Sequence, residues 1–214
     1  NFPADCHRPS GPCASVGISE KEGVICYGYF QDGIPAELYC EPKEQESLLG
    51  NIYAARVERI AEGIQGAFLE IGEGQKCYYS LSGEQPIKLS PGHENKLYGG
   101  DVILVQITKD AVKTKLPVCT GNVSLDGKYF VFTLTEKLIG ISKKIRKKEE
   151  RERLNSLVKK YTDEDYSIIV RTNAAGIAEE ILTEELKVLQ QRYQELMRKA
   201  KIAAGKTLLY KEPP

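Results

Sequence analysis

Short stretches of this chain alternate apolar and polar residues with period two, the pattern of a strand that buries one face. Val24 to Phe30 alternates in this way, Asp32-Gly33 supplies the residues that a two-residue hairpin turn prefers, and Ala36 to Cys40 is the returning strand. A hairpin alone is marginal in water, so this one needs a partner sheet. The polar connector Glu41-Pro42-Lys43-Glu44-Gln45-Glu46 follows. Beyond it the pattern predicts strands on Asn51 to Ile60, Gln65 to Ile71, Gln75 to Leu81 and Val102 to Thr108, with a long loop through Pro86, Pro91 and Gly92. Four or five short strands within roughly 65 residues match the size of an OB-type barrel.

From Lys109 the pattern changes. Asn122 to Leu125 and Lys128 to Leu134 flank a second Asp-Gly turn at Asp126-Gly127, and Ser167 to Val170 is a compact apolar strand. Between them a charged run, Lys143 to Arg153, leads into a short helix with Leu154, Leu157 and Val158 on one side. The clearest helix comes last. Thr183 is its expected N-cap, Glu184 and Glu185 sit in the first turn, and Leu186, Leu189, Tyr193, Leu196, Met197 and Ala200 recur at helical spacing until Gly205 can end it. That stripe is core packing against a sheet. The fold class expected from this order is α+β, built of small modules.

At 214 residues the chain is long enough for one large or two small domains. Its 30 Lys and Arg balance 30 Asp and Glu, so no global positive field holds duplex nucleic acid, and any RNA binding must be local. Cys6, Cys13, Cys26, Cys40, Cys77 and Cys119 contain no Cys-x-x-Cys pair and have only His7 and His93 as imidazole partners, which supports neither a zinc site nor a redox motif. They are expected to stay reduced, as in a cytoplasmic protein. No apolar run approaches the ~20 residues that span a bilayer. Asn1 to Val16, rich in Pro, Gly and small polar residues, is read as a tail outside the fold.

Two places carry candidate chemistry. Ala67, Leu69 and Ile71 alternate onto a core face, which leaves Phe68 on the other beside Glu70, and on the next strand Lys76 and Tyr78 share one face. If the two outer faces coincide, Phe68, Tyr78 and Lys76 form an aromatic and cationic platform suited to stacking unpaired bases beside a phosphate backbone. Cover for a neighbouring domain fits Phe68 equally well. The second place is Arg171-Thr172, where a strand end opens into a polar loop: a guanidinium fork beside a hydroxyl suits a monophosphate. The cations of the run 143–153 also suit phosphates, but Glu149, Glu150 and Glu152 largely neutralise them, and a solvated helix face is the stronger reading.

Seven separated motifs then fall in register from about Gly17 onward. They are Asp32-Gly33 with Ala36-Glu37-Leu38-Tyr39, Leu49-Gly50-Asn51-Ile52-Tyr53, Arg56-Val57-Glu58-Arg59, Ala67-Phe68-Leu69-Glu70-Ile71-Gly72, Asn122-Val123-Ser124-Leu125-Asp126-Gly127-Lys128-Tyr129, Gly140-Ile141-Ser142-Lys143-Lys144-Ile145 and Ile169-Val170-Arg171-Thr172. Together they resemble the N-terminal part of the bacterial ribonuclease E/G family. The resemblance implies a partial RNase H-like hairpin over residues 17–46, an OB-fold RNA-binding module over 47–112 and a sensor domain for the 5′-monophosphate of RNA over 113–214. It implies that Phe68 and Tyr78 stack single-stranded RNA and that Arg171 and Thr172 bind the 5′-phosphate. Leu116 stands where the family has Gly in a segment that contributes to the sensor pocket, so a bulkier side chain enters there. Magnesium is expected for the full-length family enzyme, held by carboxylates of a downstream catalytic domain, and homo-oligomers are expected to form through that later region. No paired carboxylates on a strand here can be nominated as substitutes, so this chain is expected to hold no metal and not to cut RNA alone. A stand-alone single-stranded-RNA-binding protein and a protein-interaction domain are the competing readings.

Overall fold

The computed structural model describes residues 14–21, 24–42, 46–83, 85–92, 96–112, 114–135 and 140–213. The chain divides into two compact units, with the boundary between Ser47 and Leu48.

In the first unit, β1 (Ala14–Lys21), β2 (Val24–Gln31) and β3 (Ile34–Pro42) form an antiparallel sheet in that order. Asp32 and Gly33 both take positive φ, 53° and 77°, as a tight hairpin turn of primed type requires. The hairpin is therefore as predicted, but it has a third strand. Ala14, Ser15 and Val16 belong to that strand and not to a tail, because they pair with Gln31, Phe30 and Tyr29. The rest of the expected tail, residues 1–13, lies outside the described residues. Val16, Ile18, Ile34, Leu38 and Tyr39 are exposed, so this sheet has little core of its own. One further expectation fails here. Cys26 and Cys40 are direct cross-strand partners, with Cα atoms 4.1 Å apart, and they form a disulfide instead of remaining reduced.

In the second unit, β4 (Ile52–Ala61), β5 (Gly66–Gly72), β6 (Gln75–Ser80), β7 (Val102–Lys109) and β8 (Val118–Thr120) make a closed barrel. The circuit runs β4-β5-β6-β8-β7 and returns to β4; β6 and β8 pair in parallel and the other neighbours are antiparallel. Alternate residues fill the barrel: Val57, Ala67, Leu69, Ile71, Cys77, Tyr79, Ile103, Val105 and Cys119 are buried together. The inward set on β5 is the one that the alternation predicts.

After the barrel come β9 (Ser124–Asp126), β10 (Phe130–Thr133), β11 (Gly140–Ile141), α1 (Lys148–Lys159), β12 (Ser167–Val170), α2 (Glu179–Ile202) and β13 (Thr207–Tyr210). A four-stranded sheet has the order β11-β12-β10-β9, and Phe130, Phe132, Ile168 and Val170 pack with Leu182, Leu186, Leu189, Leu196 and Ala200 of α2. Ile52, Ala54, Val102 and Leu104 of the barrel strands join the same core, so the two parts are fused by packing. Strand β13 then pairs with β4.

Two local expectations are corrected. Helix α2 starts at Glu179, with Ala178 as N-cap, which places Thr183 inside it; Glu179 and Glu180 fill the first turn and buried Leu182 extends the apolar stripe. The second hairpin pairs Asp126 with Val131, and the Gly127 N–H donates to the Phe130 carbonyl at 2.8 Å, so its tip is Lys128-Tyr129 and not the Asp126-Gly127 pair. Glu185 of α2 braces that turn: its Oε1 accepts the N–H groups of Tyr129 and Phe130 at 2.7 and 3.0 Å.

Candidate functional site

Phe68 and Tyr78 face each other across β5 and β6 on the outer side of the barrel. Their ring centroids lie 6.2 Å apart at 70°, an edge-to-face contact, and both residues are half-buried. The Tyr78 hydroxyl donates to the Ile64 carbonyl at 3.3 Å, and its ring crosses Gly66 so closely that a Cβ there would collide with it. Glycine at 66 is what lets the ring lie down. The two aromatic side chains thus share one face, as the sequence pattern requires of a platform.

The cations are arranged differently from the sequence expectation. Lys76 Nζ donates to Glu58 Oε1 at 2.6 Å, so a carboxylate already answers its charge. Arg59 takes the place beside Phe68. The β4–β5 register pairs Val57 with Leu69 and then Arg59 with Phe68, so Glu58 is the extra residue of a bulge. That bulge brings the Arg59 guanidinium over the Phe68 ring, 4.8 Å from its centroid. Nearby, the Lys206 ammonium hydrogen-bonded to Glu70 at 2.6 Å holds that carboxyl below its ordinary range, with smaller help from Lys76 and Arg56.

Arg171 follows β12 and donates its N–H to the Tyr129 carbonyl at 2.8 Å; Thr172 opens a single 3-10 turn, Thr172–Ala174. Arg171 Nη2 lies 3.1 Å from Asp126 Oδ2, and the Thr172 and Ser142 hydroxyls share a hydrogen bond of 2.8 Å. A phosphate arriving here meets a guanidinium that is already paired. The amides of Tyr129 and Phe130 are engaged as well, by Glu185. Behind Asp126 an open cavity of about 420 Å³ is lined by Lys128, Tyr129, Glu184 and Arg192, among others, with charges of both signs.

The loop that carries Thr172 is braced from α1. Glu150 Oε1 accepts the Gly176 N–H at 2.9 Å, and Arg153 Nη2 donates both to Glu150 Oε1 at 2.7 Å and to the Ile177 carbonyl at 3.1 Å. The Arg153 hydrogen bond, and after it the Gly176 amide, push the Glu150 carboxyl down to about 2. Arg151 Nη1 donates to the carbonyls of Ser142 and Ile145. The charged run is therefore more than a solvated face, because three of its side chains tie α1 to the strand ends around Arg171.

The structure brings Phe68 and Tyr78 together, pairs Lys76 with Glu58, and sets Arg171 with Thr172 just past the end of β12, a strand of the other sheet. Sequence reasoning missed Arg59, Asp126 and Ser142. A bulge hid the first, an apparent turn the second, and a 30-residue separation the third. Leu116 is exposed, and its segment docks on β6, where Pro117 O accepts the Tyr78 N–H at 2.8 Å. No group of three or more His, Cys, Asp or Glu able to hold a metal ion occurs among the described residues. No helix among them is long and apolar enough to cross a membrane.

Comparison with known proteins agrees with the motif-based resemblance. Residues 124–214 match the Ribonuclease E/G family, and the similarity to that family is a property of this chain. Over 208 residues the chain is 31% identical to Ribonuclease G of Salmonella typhimurium (strain SL1344), an alignment that covers 92% of this chain and 42% of that protein. Ribonuclease G of Haemophilus influenzae is 27% identical over 195 residues, covering 86% and 40%. Ribonuclease E of Nostoc sp. (strain PCC 7120) is 30% identical over 168 residues, covering 77% and 24%. The chain thus spans about two fifths, or less, of these relatives' length.

Proposed function

We propose that this chain is the RNA-recognising portion of a ribonuclease E/G-type endoribonuclease that acts on single-stranded RNA in processing and decay. The observation that carries the reading is the pair of half-buried rings, Phe68 and Tyr78, side by side on the outside of a small barrel. Rings placed so offer flat faces to unpaired bases, and stacking tolerates any base sequence. On this reading the barrel is the OB-type module. Arg171 and Thr172 recognise the 5′-monophosphate, in a site that Asp126 keeps partly neutralised. On the same reading these residues bind RNA in the cytoplasm, and magnesium serves the cleavage step of the whole enzyme.

Photocrosslinking tests this directly. A short single strand carrying a photoreactive uridine should crosslink to peptides containing Phe68 or Tyr78, and an unlabelled duplex should compete poorly. Crosslinks confined to other surfaces, or equal competition by duplex, would refute the assignment.

A further inference from the structure

We propose that Arg59 is the cation that works with the aromatic platform, holding a backbone phosphate next to the base stacked on Phe68; this rests on the platform reading above. Strand registers define one row around the outside of the barrel. Arg59 lies opposite Phe68, Phe68 opposite Tyr78, Tyr78 opposite Val118, and Val118 opposite Lys109. The row thus has a cation at each end and two rings and an aliphatic side chain between them. Because β7 pairs back with β4, the five positions wind around the barrel; neighbouring strands are ~4.8 Å apart, so Arg59, Phe68 and Tyr78 form a track about 10 Å long on one side of it.

Two irregularities build this track. The bulge at Glu58 shifts Arg59 into register with Phe68, and a register change between Ile107 and Lys109 does the same for Lys109 against Val118. The bulged Glu58 also turns its carboxylate to Lys76, so the charge of Lys76 is partly answered. Arg59 itself is exposed, and among the described residues no carboxylate pairs with it. A guanidinium over a ring keeps N–H donors at its rim, in a fork that fits two phosphate oxygens beside a base that stacks on the exposed part of the platform.

Binding of a short fluorescent oligouridylate with a 5′-hydroxyl end, measured by anisotropy over a range of KCl, tests the assignment without involving Arg171. Arg59→Ala should bind about tenfold more weakly, with the slope of log K against log[KCl] smaller by about 0.7, the loss of one single-strand phosphate contact. Arg59→Lys should keep the slope and recover part of the affinity, and Lys76→Ala should stay within about twofold of the parent. Circular dichroism confirms folding of each variant. If Phe68→Ala weakens binding while Arg59→Ala binds as the parent or more tightly, Arg59 only shields the ring and the inference is wrong although the platform stands. If Phe68→Ala also has no effect, the platform reading falls and the inference with it.

Discussion

Asp126 Oδ2 sits 3.1 Å from Arg171 Nη2, so the guanidinium nominated for a 5′-phosphate is paired within the protein itself. Both side chains are about half exposed, at 54% and 41%, and such pairs contribute ~0 to 1 kcal/mol to stability. Their weight falls on ligand binding, because a phosphate dianion must displace the carboxylate or sit beside it. Asp126→Asn should therefore leave thermal stability nearly unchanged while raising the preference for 5′-monophosphorylated over 5′-hydroxyl RNA by roughly 3- to 10-fold. Competition binding with the two RNAs checks this, and an unaltered ratio rules out Asp126 as a restraint.

The Glu150 clamp makes an acid-side prediction. Its carboxyl titrates at about 2 in the folded chain against an ordinary 4.5, so the unfolded chain binds the proton more readily. The associated stability is complete above pH ~4.5 and fades as pH falls toward 2. Glu150→Gln should unfold at a lower temperature than the parent at pH 7, with the gap narrowing between pH 4.5 and 2. A gap that is constant with pH would mean that the carboxylate contributes nothing through its charge.

Gly66 separates ring placement from fold stability. An added Cβ meets the ring of Tyr78, a half-buried side chain that can swing outward, and not buried backbone. Gly66→Ala should move the ring, weaken single-strand binding severalfold and cost little stability, on the order of 1 kcal/mol. A large loss of stability with unchanged affinity would contradict that division of roles.

Cys77 and Cys119 place their sulfurs 3.1 Å apart inside the barrel. The hydrogen bond with Cys77, followed by burial, raises the Cys119 thiol well above its ordinary 9.0. Because the folded value is the higher one, the protonated thiol favours the fold, and that contribution is lost as pH rises above 9. Both thiols should resist iodoacetamide at pH 8 in the native state and react once urea unfolds the chain, as mass spectrometry can count. Fast native alkylation of Cys119 would show that the barrel interior opens readily.

Strands with regular alternation were legible in the sequence because a period-two pattern reports burial directly, and the compact apolar run Ser167 to Val170 has the predicted bounds. Strand β13 and the early start of α2 were not legible: Thr207 to Tyr210 is too short to show a period, and its pairing with β4 is set by the distant Ala54 and Tyr53. Among the candidate site residues, the shared face of Phe68 and Tyr78 follows from alternation on two consecutive strands. The exchange of Lys76 for Arg59 could not be read, because a bulge shifts register by one residue and leaves no signature in the composition. The Cys26–Cys40 bond depends on which residues pair across β2 and β3, a detail that turn position alone fixes loosely.

The most direct measurement is an equilibrium titration of the parent chain, Phe68→Ala and Tyr78→Ala with one short single-stranded RNA at fixed salt. Each variant should stay folded and lose ~1 to 3 kcal/mol of binding free energy, the contribution of one stacked base. Folded variants that bind the strand as tightly as the parent would contradict the account.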